Sequence, residues 1–69
     1  MIFHWVDGFR INVRTDEDTA VISANREGLL SLAQHLITLA EEKPGSHFHL
    51  DEDNSLEEHS AELIVERIS

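Results

Sequence analysis

The chain has 69 residues, fourteen of them acidic and five basic, for a formal net charge of -9. That length permits a single domain, 1–69, and a chain so short buries only about 60% of its unfolded surface. The absence of cysteine excludes a disulfide framework, a thiolate zinc site and cysteine catalysis, and the acidic balance disfavours nucleic acid and anionic membranes as partners.

The start, Met1-Ile2-Phe3-His4-Trp5, carries no basic run, so no signal peptide is expected and the chain is assigned to the cytoplasm. Ile2–Val6 and Phe9–Val13 flank Asp7-Gly8, a dipeptide that favours a two-residue hairpin. In that hairpin Val6 faces Phe9, His4 faces Ile11 and Ile2 faces Val13, and these six share the core face. Phe3 and Trp5 then lie on the opposite, exposed face beside Arg10, Asn12 and Arg14. Thr15-Asp16-Glu17-Asp18 reads as a polar turn, and Thr19–Ala24 as a third strand that completes a meander.

Asn25 is a natural N-cap, followed by Glu27 in the first turn where the helix dipole favours an acid. From there Leu29, Leu30, Leu32, Ala33, Leu36, Ile37, Leu39 and Ala40 fill one half of a helical wheel, the half expected to cover the sheet. Glu27, Ser31, Gln34, His35, Thr38, Glu41 and Glu42 fill the other, with Gly28 on the polar edge. This helix is too short and too polar to span a bilayer, and Pro44-Gly45 ends it.

His47-Phe48-His49-Leu50-Asp51 alternates with the period of a strand. Phe48 and Leu50 point one way, and His47, His49 and Asp51 the other. An acidic connector follows, in which Ser55 and Glu58 have the spacing of a capping box. Glu62–Ile68 reads as a last strand pairing with the one through Phe48; a helix over Leu56–Ile68 is the alternative. The expected architecture is therefore α+β, a two-layer sandwich in which a small antiparallel sheet of order β-β-β-α-β-β is covered by one amphipathic helix.

Candidate chemistry is sparse. The three glycines stand alone, no serine sits on a strand-to-helix elbow, and one helix on a small sheet leaves little depth for an active-site pocket. No cofactor and no enzymatic activity are expected. His47, His49 and Asp51 share a strand face and form the candidate metal set, against the simpler reading of a solvated polar face. Asp51, Asp53, Ser55, Glu57, His59 and Glu62 occupy calcium-loop offsets, but Leu56 stands where the sharp-turn glycine is required. Partner binding is the stronger expectation. The acids Asp16, Glu17, Asp18, Asp51, Glu52, Asp53, Glu57 and Glu58 would steer a basic protein in, with Phe3 and Trp5 as aromatic anchors; the alternative for these two aromatics is a register that turns them into the core. The same two aromatics could instead join two copies into an acidic homodimer, which would relieve so thin a core.

Several stretches together carry a resemblance. These are Ala24-Asn25-Arg26-Glu27-Gly28-Leu29-Leu30, Leu32-Ala33, Leu36, Leu39-Ala40, His47-Phe48-His49-Leu50-Asp51 and Ser60-Ala61-Glu62-Leu63-Ile64-Val65. Over roughly Thr19 to Ile68 the chain resembles the bacterial immunity protein 32 family, departing from its pattern at Ala24, where that pattern prefers glycine. The resemblance implies a protective protein of a polymorphic toxin system, one that binds and blocks a cognate toxin. It assigns no inhibitory residue. A nuclease is the toxin class whose substrate-binding surface an acidic protein would suit.

Overall fold

The computed structural model describes all 69 residues, in the order β1 (Ile11–Asp16), β2 (Thr19–Ala24), α1 (Arg26–Ala40), β3 (His47–Leu50), β4 (Leu63–Glu66). The fold is α+β, but the strands form two antiparallel two-stranded sheets, β1-β2 and β3-β4, where one sheet was expected. Ile11, Val13, Leu32, Leu39, Phe48, Leu50 and Leu56 form one buried cluster that joins both sheets to the helix. The extents of 31 × 31 × 19 Å are those of a flat molecule two layers thick.

β2 runs over Thr19–Ala24 as the sequence predicts, and pairs with β1 from Asp16↔Thr19 to Ile11↔Ala24. β1 reaches further than expected, through Thr15 and Asp16, so the connection tightens to Glu17-Asp18. Glu17 takes a left-handed conformation there (φ 53), as the first central residue of such a hairpin can demand.

The first expected strand does not form. The Asp7-Gly8 turn is present, with Gly8 at φ 83 and the Phe9 N–H donating to the Val6 carbonyl at 3.1 Å. The pairing beyond it fails because the edge of β1 is already taken. The Glu57 N–H donates to the Ile11 carbonyl (2.8 Å) and the Ala61 N–H to the Val13 carbonyl (2.7 Å). Those are the residues that Ile2 and His4 would have faced. Residues 57–61 therefore run along β1 before the chain enters β4, and this segment stitches the two sheets together. Ile2–Val6 lies against the helix instead, where the Val6 N–H donates to Ser31 Oγ at 2.8 Å. Ile2 and His4 are exposed, not buried as expected.

Asn25 caps α1, its side chain accepting the Gly28 N–H at 2.8 Å. The face that α1 turns inward is not the leucine-rich half of its wheel. The buried helix residues are Gly28, Ser31, Leu32, His35 and Leu39, while Leu29 (55%), Leu30 (39%), Leu36 (45%) and Ile37 (61%) stay exposed. Gly28 explains the rotation. A Cβ there would collide with the Arg10 carbonyl oxygen and lie 2.9 Å from Ile11 Cγ1. The helix comes this close to β1 only along the arc that carries glycine and serine.

β3 and β4 meet the expectation, with Phe48↔Val65 in register and Phe48 and Leu50 buried. The C-terminal segment is thus a strand, not a helix. The expected capping box at Ser55 and Glu58 does not form. Asp51 organises that connector instead: its carbonyl accepts the N–H groups of Asn54, Ser55 and Leu56, and its Oδ1 those of Asp53 and Asn54.

Candidate functional site

The acidic residues fall into two groups. Asp16, Glu17 and Asp18 crown the β1-β2 hairpin, all exposed. Two-residue hairpin turns project their side chains into solvent, so these three carboxylates form a protruding negative tip. The second group lies in the connector between β3 and β4, where Glu52, Asp53, Glu58 and His59 rim an open polar hollow of about 330 Å³. Glu52 Oε2 accepts the His59 N–H at 2.8 Å, which holds His59 in its left-handed conformation (φ 68).

Besides Glu52, two more of the expected partner-binding acids have internal duties. Asp51 ties its own turn, as above. Glu57 Oε1 sits 2.8 Å from Arg10 Nε, and this hydrogen bond, reinforced by the opposite charge, raises the Arg10 pKa above its ordinary value. Glu57 and Arg10 also border a shallow cleft of about 310 Å³ with Ile11, Asn12, Ser23, Ala24 and Asn25. Neither hollow brings serine, histidine and carboxylate together.

Phe3 and Trp5 are not the exposed anchors that the hairpin register implied. Both are half-buried and pack on the core. Trp5 stacks on Phe9 with centroids 4.3 Å apart, and meets His35 edge-on at 4.2 Å. Phe3 meets His35 at 4.5 Å and Phe48 at 5.2 Å. The N-terminal segment thus lids the helix at His35, an imidazole expected in solvent and found fully buried. Neither of its ring nitrogens has a hydrogen-bond partner. Burial pushes its pKa below the ordinary 6.5.

The metal candidates do not converge. His47 and His49 lie exposed on β3 with ring centroids 5.0 Å apart, and His49 Nδ1 is 3.2 Å from Glu62 Oε2. Asp51, expected beside them, points into its turn. No three His, Asp or Glu side chains are grouped so that they could hold an ion. The calcium-loop reading fails for the same reason: its offset residues are not gathered around one point.

Sequence reading missed two features: the buried His35 and the exposed aliphatic face of α1. Both follow from one signal, the Gly28, Ser31 and His35 spacing of three and four residues. That spacing marks a helical stripe as clearly as the leucines do.

No helix is long and apolar enough to cross a membrane. Compared with known proteins, no curated protein and no solved structure matches the chain. A family model described as Immunity protein 32 matches residues 19–68.

Proposed function

The chain belongs to the immunity protein 32 family, and from that we propose that it binds a cognate bacterial toxin and neutralises it by occupancy rather than by catalysis. The match spans β2, α1, β3 and β4 but not β1, so it concerns most of the folded unit and not one motif. The electrostatics support a basic partner surface. Asp16, Glu17 and Asp18 protrude without internal duties, and Glu52, Asp53 and Glu58 present a second negative field. Fields of this sign steer a positive partner and raise its association rate strongly at low salt. A nuclease, which must itself attract phosphate, is the toxin class that best fits such a ligand. Protection of the producing cell would then take place in its cytoplasm.

The supporting observation is the family match together with the fourteen-to-five excess of acids. The test is the association rate between this chain and the toxin encoded beside it, measured by stopped flow as salt is raised. A rate that falls steeply with salt, with one-to-one loss of toxin activity, is the expected result. A rate indifferent to salt overturns the electrostatic reading, and absence of binding overturns the function.

A further inference from the structure

We propose that the exposed aliphatic face of α1 is a self-association surface, on which two copies of this chain pack their helices antiparallel about a twofold axis. The inference is independent of the toxin reading. The face consists of Leu29, Leu30, Ala33, Leu36, Ile37 and Ala40, all exposed. Its four large side chains are between 39% and 61% exposed, and no charge interrupts them between Leu29 and Ala40. An unbroken run of half-bare aliphatics along a whole helix is unlike the scattered apolar residues of an ordinary surface.

Charge at the two ends of this face selects its occupant. Arg26 begins α1 and Glu41 caps its end, and both are exposed. At about 100° per residue, Arg26, Leu30, Ala33, Ile37 and Glu41 form one longitudinal stripe. A stripe that begins in a cation and ends in an anion is complementary to itself when reversed. Antiparallel packing centred beside Ala33 sets Arg26 of each copy against Glu41 of the other, and Leu30 against Ile37. Small Ala33 at the centre permits close approach in the crossing class near about 20°, where the helix ends stay within reach of each other. The two helix dipoles also oppose, which is their favourable arrangement. A strongly basic partner would find a single acid, Glu41, at one end of this face and be repelled by Arg26 at the other, whereas a second copy finds both charges matched.

The acids elsewhere oppose this pairing weakly and over long range, since each copy carries a charge of -9. Salt screens that repulsion, so self-association tightens as salt is raised, the reverse of the expected toxin binding.

The experiment is sedimentation equilibrium of the whole chain over a range of concentration and salt. Wild type is expected to dimerise, more tightly at higher salt. Ile37→Glu is expected to be monomeric with an unchanged far-ultraviolet spectrum, because Ile37 is 61% exposed and has no part in the core. Arg26→Glu and Glu41→Arg change net charge in opposite directions. Each alone is expected to weaken the dimer by roughly tenfold, and the two together in one chain to restore it. A wild type that is monomeric throughout overturns the proposal, as does a dimer unaffected by Ile37→Glu. Loss of toxin capture by Ile37→Glu from a monomeric wild type assigns the face to the toxin, and also overturns it.

Discussion

Arg10 and Asn25 hold each other by two reciprocal hydrogen bonds. The Asn25 N–H donates to the Arg10 carbonyl at 3.1 Å, and the Arg10 N–H donates to Asn25 Oδ1 at 2.9 Å. The same Oδ1 caps α1 at the Gly28 N–H, and the Asn25 amide donates to the Gly8 carbonyl at 2.9 Å. One side chain therefore ends β2, begins α1 and fixes the Asp7-Gly8 turn beside them. Asn25→Ala removes a cap and two further bonds, and is expected to cost about 2–4 kcal/mol. Urea unfolding measures it; a loss no larger than that of an ordinary exposed cap would show that the Arg10 and Gly8 bonds contribute nothing.

Gly28→Ala is expected to be destabilising by about 2–3 kcal/mol, through overpacking against main chain that cannot move aside. Its natural control is Gly45→Ala. Gly45 has nothing within 4 Å of a Cβ but a φ of 92, so that variant suffers only left-handed strain of about 1–2 kcal/mol. If Gly28→Ala costs the less of the two in parallel denaturant titrations, the close approach does not set the helix face.

Stability is expected to depend on pH through His35. Unfolded, its imidazole takes up a proton near pH 6.5; folded, burial lowers that value. Between the two the unfolded chain holds more protons, so this contribution is whole above about pH 6.5 and is lost as pH falls toward the folded value. His35→Phe keeps a ring among Phe3, Trp5 and Phe48 and removes the titration. Its unfolding free energy is expected to fall less than wild type between about pH 6.5 and 5. Parallel curves for the two proteins would exclude His35 as the group responsible.

At the hairpin tip, Glu17→Lys with Asp18→Lys is expected to slow toxin association about tenfold at low salt and to leave the melting temperature unchanged. Asp51→Lys is expected to behave oppositely, lowering the melting temperature, because the Asp51 carboxylate holds the N–H groups of Asp53 and Asn54. A tip variant that associates at the wild-type rate would remove these acids from the encounter.

Local signals carried much of the fold. The alternation about Phe48 and Leu50, the β-branched run at Leu63–Val65 and the cap at Asn25 each rest on interactions within a few residues, and each appears where the sequence places it. The exposed acids at 16–18 were legible for a similar reason, since a polar turn has no alternative to solvent. The placement of Phe3 and Trp5 was not. Their hairpin was locally sound, yet residues 57–61, more than forty positions away, occupy the hydrogen-bonding edge it needed.

Sequence by itself determined that this acidic chain would form strands around one capped helix, because propensity, period and turn chemistry act between near neighbours. Tertiary structure alone decided which arc of that helix meets the sheet. The wheel offers two stripes, one of leucines and one of glycine, serine and histidine, and hydrophobicity favours the first. Steric closeness to the Arg10 carbonyl admits only the second. That choice buries His35 with Leu32 and Leu39 and leaves Leu29, Leu30, Leu36 and Ile37 outside, where another molecule can reach them.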